Sequence, residues 1–392
     1  TDAGAAYIFA LSGGSWSQQA KIQASDKQAS DYFGVSVSMS GDGTRVIVGA
    51  YGEDTGGTNA GSAYIFAYSS SSWSQEAKIQ ASDLSASELY GVFGIGVSMS
   101  SDGTRVIVGA QGEDTGATNA GAAYIFAYSS GSWSQEAKIL ASDPEATDNF
   151  GYTVSMSGDG ARVIVGARYE DTGGTSAGAA YIYAYSSGSW SQEAKIQASD
   201  IQASDEFGWS VSMNSDGTKV LVGAAGEDTG ATDAGAAYIF ALSGGSWSQQ
   251  AKIQASDLQV SDYFGTSVAM SGDGTKVLVG TFLEDTGGTS AGAAYIFDYA
   301  PNTIYDTSTQ VFTATGTGIV SGSTVQLEGA DGTLYSVFDA TAAGTQVTFK
   351  MGTLGASGGY AVAQQPYKLK VNSTSGLIGT STAAIGFAVG WT

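Results

Sequence analysis

Cysteine and histidine are absent from this 392-residue chain, and proline occurs only three times. Their absence removes disulfides, thiolate metal sites, cysteine nucleophiles and every histidine-based catalytic triad at once. It does not fix a compartment, because an oxidising environment permits disulfides without requiring them. Basic side chains are scarce too: 15 Lys and Arg stand against 37 Asp and Glu, a net charge of −22. The imbalance lies in residues 1–302, with 33 acidic and 12 basic side chains, whereas residues 303–392 carry four and three. Such a surface repels phosphate backbones and anionic lipid, so nucleic acid is not an expected partner. No apolar run reaches the ~20 residues of a membrane span, and direct membrane insertion is not expected either. Glycine, by contrast, is plentiful at 57 residues, and 42% of the side chains are hydrophobic, enough for a packed core rather than a disordered chain.

What fills the chain is repetition. The stretch at 33–50, FGVSVSMSGDGTRVIVGA, is written again with few changes from Phe93, Phe150, Phe207 and Phe264. The first four copies close on Gly-Ala and the fifth on Gly280-Thr281. A second constant block, AYIFAYSSxSWSQEAKIQASD, lies between copies. Its Tyr-Ile pairs start at 7, 64, 124, 181, 238 and 295, spacings of 57, 60, 57, 57 and 57. One fixed period decides the architecture before any local detail does. Residues 1–9, TDAGAAYIF, match 232–240, so the chain opens inside a motif and upstream sequence is expected.

Each period carries four strand signals. Residues 33–40 alternate apolar and polar, and Gly41-Asp42-Gly43 supplies a turn. Residues 44–50 form a continuous β-branched run, the pattern of a strand buried on both faces. An acidic, glycine-rich loop at 52–61 precedes aromatic alternation at 62–68, and a serine tract turns into the last strand at 73–80. Four antiparallel strands in about 57 residues make one β-propeller blade. No segment shows a 3.6-residue apolar period, which excludes helical solenoids. The one length change, three extra residues near 89–92, falls in a connecting loop, where insertion is tolerated.

The Phe-Gly pair, the Asp-Gly turn, the Val-Ile-Val-Gly-Ala run and the Trp-x-x-x-x-Lys-Ile strand together resemble FG-GAP repeats, the blades of the integrin α-subunit head and of many surface proteins. The resemblance spans residues 1 to about 300. It implies a propeller and an extracellular, cell-surface or virion-associated setting. Five blades are favoured, with six or seven as alternatives. The chain offers 21 strands, one more than five blades need. The pair at 5–10 and 16–23 would close a blade with 264–270 and 276–280, leaving 294–299 surplus. A spare strand invites pairing between chains. Tyr7, Phe9, Tyr295 and Phe297 thus mark a candidate assembly seam.

Ala300-Pro301-Asn302 ends the repeats, so the expected domains are 1–300 and 301–392. Short strands are expected at 310–317, 324–328, 334–338, 346–351, 367–372 and 384–390, an immunoglobulin-like β-sandwich by strand number and length. The stretch TATGTGIVSGSTVQLEGADGTLYSV is similar to Ig-like modules appended to phage and viral structural proteins.

The most repeated polar feature is an acidic pair: Glu53-Asp54, Glu113-Asp114, Glu170-Asp171, Glu227-Asp228 and Glu284-Asp285. Blade symmetry puts the pairs in a ring on one rim, and carboxylates in a glycine-rich loop suit a hard cation such as Ca²⁺. The resemblance implies a different calcium loop, D-x-D-x-D-G-x-x-D between the first two strands. Here that loop is Ser40-Gly41-Asp42-Gly43-Thr44-Arg45, with a single carboxylate and an arginine. The competing reading of these acids is turn formation and loop capping. A glycosidase needs two carboxylates in unlike environments, and five equal copies are the opposite of that, so enzymatic activity is not expected. The tryptophans at 16, 73, 133, 190 and 247 read as packing between blades before sugar stacking. The lysines at 21, 78, 138, 195 and 252 read as partners of rim carboxylates. Asn372-Ser373-Thr374 is a candidate N-glycosylation site.

These residues point to a structural or adhesive surface protein that self-associates into a fibre, coat or virion. The alternative is a lectin-like or receptor-binding propeller that takes a glycan or protein ligand.

Overall fold

The computed structural model describes residues 1–83, 92–285 and 287–299, with seven further strands between 312 and 380. The chain divides into two compact units, Thr1–Tyr299 and Ala300–Thr392.

The first unit is a five-bladed β-propeller whose blades follow one plan of four antiparallel strands. Blade one contains β3 (Val37–Met39), β4 (Arg45–Ala50), β5 (Ser62–Ser69) and β6 (Ser72–Ile79), hydrogen-bonded in that order. Blades two (β7–β10, residues 97–139), three (β11–β14, residues 153–196) and four (β15–β18, residues 207–253) repeat it. The fifth has three strands, β19 (Ser267–Met270), β20 (Lys276–Thr281) and β21 (Ala293–Asp298). Ahead of blade one stands a separate hairpin, β1 (Ala6–Ser12) with β2 (Ser15–Ile22), the outer half of the same unit.

The hairpin does not complete the fifth blade, contrary to the closure expected from strand counting. β21 already occupies the edge of β20, pairing Thr281 with Ala293 just as Ala167 pairs with Ala179 in blade three. The hairpin instead packs on blade one, where Ile8, Ile22 and Ala24 meet Phe33, Val46, Val48, Tyr64 and Phe66.

That contact is the interface used all round the propeller. Along β4 and β5 successive side chains alternate faces, and both faces are apolar. One face presents Ile47, Ala63 and Ile65, the other Val46, Val48, Tyr64 and Phe66. The Ile face of blade one packs into Phe93, Val106, Val108, Tyr124 and Phe126 of blade two, and the same pairing recurs at the next two interfaces. The Phe of each Phe-Gly anchors the receiving face: Phe93 lies edge-on to Phe126 at 6.1 Å between centroids.

The glycine of the Val-Gly-Ala run meets the glycine after the next blade's Phe, and there the backbones touch. A Cβ on Gly166 would sit 2.2 Å from the carbonyl oxygen of Gly208 in the next blade. The Phe backbone in turn bridges a glycine of the preceding blade, as Gly121 does Phe150. The bridge recurs in all five blades, and in blades one to three and five Phe-Gly stays outside the antiparallel ladder, where the first strand is shorter than its alternating pattern.

A β-bulge near the middle of each outer hairpin leaves Glu76, Glu136 and Glu193 without a cross-strand partner. The bulge turns these side chains outward. Glu76 receives Arg45 Nη2 at 2.9 Å and the indole N–H of Trp133, in the following blade, at 3.0 Å. The Arg45 guanidinium stacks over Tyr128 of that blade, 4.1 Å from the ring centroid. The tryptophans therefore stitch neighbouring blades together at the outer rim.

In the second unit the described strands form two antiparallel sheets. β22 (Phe312–Thr315), β26 (Gln346–Lys350) and β25 (Phe338–Ala343) make one. β24 (Leu334–Ser336), β23 (Thr324–Glu328), β27 (Lys368–Asn372) and β28 (Ile378–Thr380) make the other. The strand expected at 384–390 lies outside the described residues, as does all but Val92 of the loop insertion expected near 89–92.

Replacing Gly166 by Ala should force the third and fourth blades apart. The expected cost is at least ~2–3 kcal/mol, since overpacking is compounded by backbone collision. Gly188, at φ +87 with open space around it, is the control. Gly188→Ala should cost only about 1–2 kcal/mol, the left-handed penalty alone. Urea midpoints for the two variants test this, and equal losses would refute the close-approach account.

Candidate functional site

Each acidic pair splits, Glu inward and Asp outward, as adjacent residues must in extended chain. Glu53, Glu113, Glu170, Glu227 and Glu284 are buried, while the Asp that follows each is exposed. Asp54 accepts the backbone N–H of Asn59 at 2.8 Å, and Asp114, Asp171, Asp228 and Asp285 make the equivalent cap.

The buried Glu anchors a network repeated four times. Lys78 Nζ lies 2.9 Å from Glu53 and 2.7 Å from Asp26, and the Tyr64 hydroxyl donates to Asp26 at 2.9 Å. Ser62 and Thr55 also donate to Glu53. Lys138, Lys195 and Lys252 make the same double pairing, with Glu113 and Asp83, Glu170 and Asp143, and Glu227 and Asp200. Burial alone would raise the Glu53 carboxyl, but the donors from Thr55, Ser62 and Lys78 outweigh it and hold it below the usual range. Burial likewise opposes the Lys78 charge, and Asp26 and Glu53 reverse the effect. In this arrangement a lysine stands where a cation would have to bind, so the inward carboxylates do not fit Ca²⁺. Among the described residues no three carboxylates gather into a metal site.

The Asp-Gly turns do not fit it either. Asp42 takes the Ser40 hydroxyl at 2.7 Å and both the amide and hydroxyl of Thr44 at 2.9 Å. The same bonds, led by Ser271, pull Asp273 down to about 2. These are turn-forming acids.

A second set of carboxylates sits behind the Glu ring. Asp31, Asp148, Asp205 and Asp262 are buried and accept one backbone N–H three residues back, as Asp205 does from Gln202 at 2.7 Å. Asp205 Oδ1 has no hydrogen-bond partner. Burial, abetted by the charge of the neighbouring Glu170 or Glu227, pushes Asp148 and Asp205 up to about 6.

The seam residues lie at opposite ends of the propeller. Tyr7 and Phe9 are exposed on the hairpin, whereas Tyr295 and Phe297 fold against Phe264 and expose Ile296 between them. Lys21 lies over the Tyr7 ring and makes no ion pair among the described residues. Asn372 ends β27, and the rest of its sequon falls outside the described residues.

One further feature emerges only where the repeats differ. The residues after Phe-Gly are Val35, Ile95, Tyr152, Trp209 and Thr266, and all five line a bowl of about 370 Å³ on the propeller axis. The residues preceding Phe-Gly (Tyr32, Val92, Asn149, Glu206, Tyr263) and those opening the acidic loops (Tyr51, Gln111, Arg168, Ala225, Phe282) differ as freely. Topology sets the acidic loops beside them, since each loop leaves its strand where the Phe-Gly strand begins. Tyr32 stacks on Tyr51 and Tyr263 on Phe282, while Arg168 lies over Tyr152 and Trp209.

The profile of the FG-GAP repeat matches residues 16–66, 73–126, 133–183, 190–240 and 247–297. This chain belongs to the FG-GAP repeat family. Each matched stretch runs from an outer Trp strand to the next Tyr-Ile strand, so the family unit straddles a blade interface. No curated protein matches the FG-GAP chain in sequence. Among solved structures, TolB from Acinetobacter baumannii is similar at 14% identity and a TM-score of 0.41, over 73% of this chain and 55% of that one. The periplasmic gluconolactonase PpgL from Pseudomonas aeruginosa is similar at 14% identity and a TM-score of 0.47, over 97% and 92%. The FG-GAP chain thus spans little more than half of TolB. At these levels neither neighbour's activity transfers to it.

Two outcomes follow for the FG-GAP rim. Lys195→Met leaves Glu170 and Asp143 without their cation and should cost about 3–5 kcal/mol in urea unfolding; adding Glu170→Gln should recover most of it. Asp205 binds its proton more tightly folded than unfolded. Its stabilising contribution is therefore full below the unfolded value near 3.8 and lost as pH rises through about 6. Asp205→Asn should raise the melting temperature by about 2–6 °C at pH 8 and leave it unchanged at pH 4. A gain at both pH values would exclude the titration account.

Proposed function

We propose that this FG-GAP protein is a non-enzymatic structural or adhesive component of an extracellular, cell-surface or virion assembly, built by repeated contact between copies of the chain. One observation carries the reading: the two ends of the propeller expose the two halves of its own internal interface. At the hairpin end Tyr7 is 53% exposed where Tyr64 is 0%, and Val37 is 60% exposed where Val97 is 8%. At the other end Ile296 is 73% exposed where Ile65 is 0%. Beside the hairpin a groove of about 290 Å³ is lined by Tyr7, Ile8, Ile22, Val37, Met39 and Val46. Apolar faces of this kind on a soluble chain mark contact sites. An Ile face entering a Tyr-Phe face is the contact this sequence already makes between its blades. The C-terminal unit, read as an Ig-like module, belongs to the same component. Ca²⁺ enters this reading only as a bridge between copies, through the exposed Asp54, Asp114, Asp171, Asp228 and Asp285. A second reading, a propeller that recognises a glycan or protein ligand, is supported by the concentration of repeat differences around the axial bowl.

Sedimentation velocity over a wide concentration range, with and without EDTA, tests the assembly. Wild type should form species that grow with concentration, while Ile296→Asp and Phe9→Asp should each remain monomeric. Mixed, the two variants retain one good end apiece and should give a one-to-one dimer that goes no further. A wild type that stays monomeric at every concentration would sink the reading, and assembly unchanged by EDTA would remove Ca²⁺ from it.

A further inference from the structure

The bowl on the propeller axis is where this chain departs from its own template. The repeats keep nearly every framework residue, yet in blades three and four the variable positions hold Tyr152, Arg168, Glu206 and Trp209, with Tyr169 beside them. Tyr152 and Trp209 wall the bowl and meet edge-to-face at 6.0 Å. The Arg168 guanidinium lies against both rings, 3.9 Å from the Tyr152 centroid and 4.5 Å from that of Trp209, with Tyr169 also at 4.5 Å. Arg45, Arg105 and Arg162 all pair with a glutamate. Arg168, in a chain of net charge −22, makes no ion pair or side-chain hydrogen bond among the described residues, and its buried Nε has no partner. Glu206 is close enough to feel the Arg168 charge without bonding it, and its side chain makes no hydrogen bond among the described residues either.

Tyr152 and Arg168 of blade three meet Trp209 of blade four, a contact that the framework shared by the other interfaces does not use. The bowl is walled by Tyr152, Trp209, Ser36, Thr153, Ser210 and Ser267, with the Ser36 and Ser210 hydroxyls donated to backbone carbonyls, and Arg168 stacks on its two aromatic rings beside Glu206. The bowl's volume falls in the range of small-ligand sites, about 300–1,000 Å³. Aromatic rings take the C–H face of a ligand, while neighbouring donors and acceptors fix its polar groups. Arg168 offers donors and Glu206 acceptors, the complement of vicinal hydroxyls. The surrounding acidic surface disfavours an anionic ligand. Resting on the second reading above, we propose that this bowl is a binding site for a neutral saccharide, stacked on Trp209 and Tyr152 and held through its hydroxyls by Arg168 and Glu206.

The repeats supply their own control variants, because each position can be given the residue another blade carries there. Trp209→Thr, Tyr152→Val, Arg168→Gln and Glu206→Asn should leave melting temperature and circular dichroism close to wild type. The full chain should bind neutral glycans on an array of neutral and acidic glycans. Trp209→Thr and Arg168→Gln should each weaken that binding at least tenfold by titration calorimetry. Neutral glycans bound equally by all four variants would overturn the site while leaving glycan recognition in place. Binding of acidic glycans alone, or of a protein ligand with no glycan, would overturn the saccharide and keep the recognition reading. A folded chain that binds neither would end both.

Discussion

Everything in the propeller depends on one contact, an Ile-Ala face of each blade pressed into the Val-Tyr-Phe face of the next. It is possible because β4 and its counterparts are apolar on both sides, and because glycines let neighbouring backbones meet without intervening side chains. The polar features are built around this contact. The bulged glutamate reaches forward to the next blade's tryptophan, and the lysine of the outer strand ties its own loop to the loop before it. The interfaces from blade one through blade four therefore have an apolar centre, a charged seam at the face and a hydrogen-bonded rim.

This explains why an acidic chain tolerates buried carboxylates on every blade. The Glu of each pair sits at a point where one lysine serves two acids, so four lysines compensate eight carboxylates on blades one to four. The second carboxylate ring, at Asp31, Asp148, Asp205 and Asp262, receives no such partner among the described residues and instead holds its protons more tightly.

The period, the turns and the β-branched run made the blade legible from residues alone, and the strand at Thr324–Glu328 falls where a short strand was expected. The lysine spacing after the tryptophans rightly indicated a carboxylate partner for Lys78, Lys138, Lys195 and Lys252, whereas Lys21 makes no ion pair among the described residues. Other features could not be read locally. The direction of each Glu and Asp depends on where the loop meets the following strand, and repeat symmetry says only that all five behave alike. Strand counting favoured moving the hairpin into the last blade, whereas the Ile8 and Ile22 side chains commit it to the first. The axial bowl was legible in principle, but only in the differences between repeats, the opposite of the signal that reveals the fold.

Near-identity of the blades has a consequence for how this chain reaches its structure. Any Ile face can enter any Tyr-Phe face, and nothing in that apolar contact records which repeat belongs beside which. Correct order must come from the short tether between consecutive blades, which raises their effective concentration above that of every other pairing. Refolding at high protein concentration erodes that advantage, and blades from different chains then compete for the same positions. Order along the ring is thus kept by covalent connectivity rather than by molecular recognition, and emergence of the blades one at a time during synthesis favours it.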